Sequence, residues 1–242
     1  MVEAVTFDFW NTLMCEGPSG LVDARLVAWT GILEEGGWSV PTERLRTAHQ
    51  VAFEAYQQAW KRNRQFQSAE ATTAILSALE LSVPHRVVVA LGESFAKAGD
   101  ETDIRLVSGV ADCLRALKGR GLGLGIVCDI GLTPSSALRH HLDRHGLLDL
   151  FDAFAFSDEV GVYKPDEHIF RHALEGMGGI APTSVAHVGD RRRTDVAGAR
   201  ALGMVAVRYT GVFDDDLDLE PEASIVVHDY SDLPRKLGLF GV

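Results

Sequence analysis

From about residue 105 onward the chain alternates strand-length apolar runs with helix-length amphipathic segments, and that alternation constrains its fold more than any other feature. VADCLRALKGRG (110–121) reads as a helix and LGLGIVCD (122–129) as a buried strand. TPSSALRHHLDRHG (133–146) restarts a helix, with Thr133 as N-cap, Pro134 in the first turn and Gly146 as its stop. AFAFS (153–157) is strand-like, and PDEHIFRHALEGMG (165–178) is a helix with Ile169, Phe170, Ala173, Leu174 and Met177 on one face. SVAHVGD, TDVAGARALG, MVAVRYT, SIVVHD and SDLPRKLG then read as strand, helix, strand, strand and helix, with Thr194 capping the helix that carries Asp195. Strands joined by helices in this order predict a doubly wound parallel sheet, whose sites lie beyond the carboxyl ends of its strands.

The stretch from 15 to 103 has a different rhythm. LVDARLVAWTGILEEGG, PTERLRTAHQVAFEAYQQAWKRNRQF, SAEATTAILSALEL and PHRVVVALGESFAKAG each carry apolar residues at helical spacing, Ser68 capping the third and Pro84 opening the fourth. They predict an inserted all-helical domain over 15–103, leaving 1–14 and 104–242 to the α/β core. With 242 residues, 46% of them hydrophobic, the chain can bury one good core and a smaller lobe. A formal net charge of −11 argues against a nucleic-acid partner, since no basic stripe exists to neutralise phosphates. Three cysteines without a C-x-x-C pair indicate neither a disulfide framework nor a zinc knuckle. An acidic and apolar start, and no run of apolar residues long enough to span a bilayer, lead us to expect a soluble cytoplasmic protein away from membranes.

Polar residues at predicted strand ends mark the candidate chemistry. Asp8 follows the first strand, in VTFDFWNTL; Cys128 and Asp129 follow the second; Lys164 lies beyond the third; Gly189 and Asp190 close the fourth, with Asp195 five residues later. One rim therefore collects several carboxylates and a lysine. Other candidates read better as structure. His141 with His145, and His168 with His172, stand four apart on helices and are expected to be helix-face residues rather than metal ligands. The glycines at 119, 121, 123 and 125 precede a strand instead of opening a helix, so they are no dinucleotide fingerprint. FDDDLDLEPE (213–222) is expected to be a solvated acidic loop, and the cations of WKRNRQF a solvated face.

Four stretches together resemble the haloacid dehalogenase-like (HAD) hydrolase superfamily: FDFWNTL, IVCD, GVYKPD and VGDRRRTD. The resemblance implies a Rossmann-like core with the helical insert as a type-one cap, and Mg²⁺ as cofactor. It implies Asp8 as nucleophile, Thr12 in support of it, and Lys164 as charge stabiliser. Cys128 and Asp129 would face the substrate, while Asp8, Asp190, Asp195 and the backbone carbonyl of Trp10 would hold the metal. A Mg²⁺-dependent phosphohydrolase acting on a small phosphorylated metabolite through an aspartyl-phosphate is the function so implied. Two positions depart from the family pattern. Trp10 stands where an acid/base Asp is usual, a role generally contributing about 10²–10⁴-fold. Cys128 replaces a Ser or Thr and is only a weak donor. The alternatives are a degenerate member that binds without turnover, and a 2-haloacid dehalogenase, whose halide departs without a proton.

Overall fold

The computed structural model describes residues 2–17, 20–215 and 222–239, with the side chains of 100 and 101 excluded. Its strands are β1 (Ala4–Phe7), β2 (Met14–Glu16), β3 (Ile104–Leu106), β4 (Gly123–Cys128), β5 (Ala153–Phe156), β6 (Val185–Gly189), β7 (Val205–Tyr209) and β8 (Ile225–Val227). Six of them form one sheet in the order β5-β4-β1-β6-β7-β8, every neighbouring pair parallel. β1 lies at its centre and is buried along its length, which is why AVTF shows no polar–apolar alternation. The chain winds outward from β1 in both directions, so the order reverses beside it, and ligands of such sheets bind at that reversal. β2 and β3 form a separate two-stranded sheet that the sequence pattern did not reveal.

The helices are α1 (Leu21–Glu35), α2 (Thr42–Lys61), α3 (Ser68–Ala78), α4 (His85–Glu101), α5 (Val110–Lys118), α6 (Ser135–Arg144), α7 (Ser157–Val160), α8 (Glu167–Gly176), α9 (Ala197–Ala201) and α10 (Leu233–Lys236). The chain divides into two compact units: 1–15, 105–129 and 142–242 in one, 16–104 and 130–141 in the other. In the sheet unit, Ile169, Phe170, Ala173 and Leu174 of α8 pack with Ala4, Val127, Ala155 and Val185, removing one face of the strands from water. In the helical unit, Leu26, Trp29 and Leu33 of α1 bury against Leu45, Ala48 and Ala52 of α2 and Leu91 and Phe95 of α4. Leu132 joins that cluster, so the segment after β4 packs with the helical unit although it follows a core strand in sequence.

Three predicted N-caps, Ser68, Thr133 and Thr194, differ from the sequence reading. α3 is capped by Gln67, whose side chain accepts from the third helical residue while Glu70 bonds back to the Gln67 backbone; Ser68 is already helical. α6 begins at Ser135, and the Thr133 hydroxyl accepts instead from Arg25 Nη2 at 2.7 Å. Ahead of α9, Arg192–Val196 forms a π-helical turn that contains Thr194, so Thr194 caps nothing. The histidine pairs behave as helix-face residues: His141 Nε2 meets the Gly99 carbonyl at 2.7 Å, and His145, His168 and His172 are exposed.

His49 on α2 is buried, with Nε2 lacking a partner. Burial, followed by the charges of Arg25 and Arg46, pushes its pKa down to about 4. The unfolded chain, with an ordinary histidine near 6.5, therefore binds more protons between those values. Stability should fall as pH drops from about 6.5 towards 4 and be unaffected by this group above that window, the loss reaching at most ~3 kcal/mol. Urea midpoints of the parent and His49→Gln at pH 4.5 and pH 7.5 check this: the parent should lose more on acidification than the variant.

Candidate active site

Parallel pairing puts the carboxyl ends of β1, β4 and β6 on one rim, with Phe7 in register with both Ile126 and Val188. At or immediately beyond these ends stand Asp8, Cys128 with Asp129, and Asp190. Lys164 reaches this rim from the segment after α7, its side chain 2% exposed. Its ammonium donates to Asp8 Oδ1 at 2.6 Å, to Asp195 Oδ1 at 2.7 Å and to the Val127 carbonyl at 3.0 Å. Three protons meet three acceptors, so the cation is fully bonded and holds one position.

Asp195 is equally saturated. Its Oδ1 also accepts from His187 Nε2 at 3.0 Å, and its Oδ2 accepts from the Arg191 backbone N–H at 3.0 Å and the Thr194 hydroxyl at 3.3 Å. Burial alone would raise its pKa, but Lys164 and then the His187 hydrogen bond outweigh it, and the carboxyl is held well below the ordinary range. Its side chain lies against Gly189, where an added Cβ would come within 2.2 Å of Asp195 Cγ. The glycine of VGD is thus required by the carboxylate of Asp195, with no left-handed backbone involved.

Asp8 and Asp190 are less well supplied. Burial is the main cause that lifts the Asp8 pKa to about 6; Lys164 opposes the rise and Asp195 adds to it. Asp190 is pushed well above its ordinary value by burial and then by the charges of Asp8 and Asp195. Its Oδ2 has the Asn11 amide at 3.4 Å and Arg191 Nε at 4.0 Å. Oxygens of Asp8, Asp190 and Asp195 all lie within 4.8 Å of one another. Three buried carboxylates against one ammonium leave excess negative charge, and three hard oxygen donors suit a small divalent cation.

The remaining predicted residues are less directly engaged. Thr12 is buried, but its hydroxyl has no partner and makes no hydrogen bond to Asp8; its carbonyl accepts from the Tyr230 hydroxyl at 2.8 Å. The loop from Asp8 is tight, with Leu13 and Met14 N–H both donating to the Phe9 carbonyl and Asn11 in the left-handed region at φ 57°. Trp10 is half-buried and packs edge-on against Phe9, ring centroids 5.2 Å apart. Cys128 is buried and its thiol, pushed well up by burial, donates to the Asp129 carbonyl at 3.5 Å. Asp129 does not stand bare beside the rim: its Oδ1 accepts from the Lys164 backbone N–H at 2.8 Å.

Sequence reasoning passed over His187, Thr6, Asn11 and Tyr230. The available signal was a polar residue inside each of two otherwise apolar strands, VTF and VAHV. The acidic stretch 213–222 is only partly a solvated loop. Residues 216–221 lie outside the described region, but Asp214 and Glu222 bind Arg208, Glu222 also pairs with Arg192 at 2.8 Å, and Asp215 accepts from the Arg192 N–H. WKRNRQF has its cations exposed, as expected.

A family model described as haloacid dehalogenase-like hydrolase matches residues 2–203. Curated relatives include the pyrimidine 5'-nucleotidase YjjG of Escherichia coli, 36% identical over 47% of this chain and 48% of its own length. A glyceraldehyde 3-phosphate phosphatase of Methanopyrus kandleri is 35% identical over 53% of each, and a phosphoserine phosphatase of Thermus thermophilus 35% identical over 46% and 44%. The chain thus spans about half the length of these relatives. Solved structures that share the fold include a HAD phosphatase from Thermococcus onnurineus, TM-score 0.68 at 23% identity over 98% of each chain, and a 2-haloacid dehalogenase from Pseudomonas syringae, TM-score 0.73 at 24% over 100% of each.

Lys164→Met should remove the single ammonium of this cluster and leave its carboxylates unpaired. A loss of ~3–5 kcal/mol is expected at neutral pH, shrinking near pH 5 as the carboxyls take up protons. Chemical denaturation of both proteins at the two pH values is the check, and a loss independent of pH would contradict the charge balance described.

Proposed function

Because the chain belongs to the haloacid dehalogenase-like hydrolase family, we propose that it is a Mg²⁺-dependent phosphohydrolase of a small phosphorylated metabolite, with Asp8 as nucleophile. The observation that carries this reading is the triad of buried carboxylates, Asp8, Asp190 and Asp195, with the buried Lys164 ammonium bonded to two of them and Arg191 Nε 4.0 Å from the third. Asp8, Asp190 and the Trp10 carbonyl would hold the ion directly. Asp195, whose oxygens already accept four hydrogen bonds, would complete the site from beside them. Bound there, Mg²⁺ would offset the repulsion between the carboxylates and an incoming phosphate.

The chain's own residues would carry the steps. Lys164 occupies Asp8 Oδ1 and leaves Oδ2 to attack phosphorus. The P–O bond to the leaving group breaks as the Asp8–phosphorus bond forms, and water then cleaves the acyl phosphate, splitting hydrolysis into two easier steps. With a pKa of about 6, Asp8 is mostly ionised at pH 7, as a nucleophile must be. The ammonium beside it stabilises charge on the transferring group. Trp10 can neither protonate the leaving oxygen nor activate water, so substrates whose leaving groups need no proton are favoured. The helical unit is assigned the role of cap, selecting the substrate. No helix among the described residues is long and apolar enough to cross a membrane.

The indole at position 10 also favours a second reading, a family member that binds ligand without turnover. Carbon–halogen hydrolysis draws no support from the carboxylate triad, since halide release needs neither a metal nor extra anions. Assays of a phosphate-ester array and of halide release, with and without Mg²⁺, separate the three. Asp8→Asn should abolish phosphate release with the fold intact, and retained turnover would mean another residue attacks. Mg²⁺ should raise the melting temperature of the parent by mass action. That rise should vanish in Asp190→Ala, and its persistence would put the ion elsewhere. Aryl phosphates should be hydrolysed faster than alkyl phosphates, by up to about 10²–10⁴-fold. Trp10→Asp should narrow the gap, and brisk alkyl-phosphate turnover by the parent would show that another group supplies the proton.

A further inference from the structure

His187 lies in the middle of β6, in a run that is otherwise apolar, and is fully buried. The register of the sheet sets it beside Thr6 of β1. Its Nδ1 is 2.9 Å from the Thr6 hydroxyl, and its Nε2 is 3.0 Å from Asp195 Oδ1. The ring also meets the edge of Phe170, centroids 5.0 Å apart and planes 82° from parallel. An ionised carboxylate can only accept, so Nε2 must carry a proton. In the neutral ring Nδ1 is then an acceptor, and the Thr6 hydroxyl supplies its proton. Burial is the first cause keeping this ring neutral.

The contacts form one line of hydrogen bonds across two neighbouring strands: Thr6 to His187, His187 to Asp195, Lys164 to Asp195, and Lys164 to Asp8. His187 and Lys164 share the same oxygen, Asp195 Oδ1. A carboxylate on a short side chain rotates unless both oxygens are held. Here Oδ2 is held by the Arg191 N–H and the Thr194 hydroxyl, and Oδ1 by the imidazole and the ammonium. Without the imidazole, Oδ1 would be held by Lys164 alone.

We propose that His187 is a positioning residue: held in the Nε2–H tautomer by the acceptor-only Asp195 and backed at Nδ1 by Thr6, it sets the Asp195 carboxylate that in turn seats the Lys164 ammonium against Asp8. Its consequence for turnover rests on the reading of Asp8 as nucleophile; its consequence for Lys164 does not. Residues around a site that orient its charged groups typically alter activity or metal affinity about 10–100-fold when lost.

The test follows the lysine directly. In protein carrying ¹⁵N-lysine, the buried ammonium of Lys164 should give a resonance protected from exchange with water, identified by its absence in Lys164→Met. His187→Leu keeps an apolar side chain against Phe170 but removes the donor, and should shift or abolish that resonance. His187→Gln, which offers an amide N–H, should restore it. Histidine ¹⁵N spectra should show the Nε2–H tautomer in the parent; in Thr6→Val, where Asp195 still accepts from Nε2–H, that tautomer should persist with a shifted Nδ1 resonance, a readout that serves even if the leucine protein does not fold. With p-nitrophenyl phosphate as probe, His187→Leu should lower kcat ~10-fold or more with KM nearly unchanged, and glutamine should recover most of the loss. An unshifted lysine resonance in His187→Leu, or an Nδ1–H tautomer in the parent, would overturn the proposal. A parent without phosphatase activity but with the expected lysine and histidine signals would support the positioning role and count only against the proposed function.

Discussion

One ammonium group organises the rim of this sheet. Lys164 meets Asp8, Asp195 and a strand carbonyl from a position with almost no access to water, and three carboxylates sit within 4.8 Å of one another around it. Removing like charges from water is costly unless each is paired and hydrogen-bonded. Asp195 meets that condition fully and Asp190 barely, and the direction of their pKa changes follows: Asp195 down, Asp190 up. The cluster therefore has a built-in gradient, from a carboxylate locked as an anion to one with capacity to spare for a cation.

Much of this was legible in the sequence because it depends on short-range patterns. Buried parallel strands read as continuous apolar runs, and the residue that ends each run falls on the rim whatever the details of packing. Asp8, Asp129, Asp190 and the lysine of GVYKPD could be named on that basis. What could not be read depends on register between strands far apart in sequence. Thr6 and His187 are 181 residues apart, and only the pairing of β1 with β6 makes them neighbours. The tie from Tyr230 to the loop after Asp8 spans 218 residues and has no local signature.

Helix starts failed for a different reason. Ser68 and Thr133 have the side-chain chemistry of caps, yet Gln67 with Glu70 closes the box at one, and at the other Arg25 takes the hydroxyl. Several residues near a helix start can satisfy the same few N–H groups, and tertiary partners decide among them. The flanks of the acidic stretch, expected to be a solvated loop, are engaged by Arg208, Arg192 and Arg200 from positions that composition does not reveal.

The central place of β1 bears on how the chain is made. Ala4–Phe7 is synthesised before both of its neighbours, which begin at Gly123 and Val185. A nascent chain on the ribosome carries this strand, apolar but for Thr6 and with Asp8 at its end, long before either partner exists. Contacts of such separation form late and slowly. During that interval the helical segments of 21–101 are the part of the chain with neighbours already present, and they can begin to pack while β1 waits. Exposed strands awaiting partners are a usual starting point for aggregation. Chaperone demand during synthesis should therefore centre on the strand that bears Asp8.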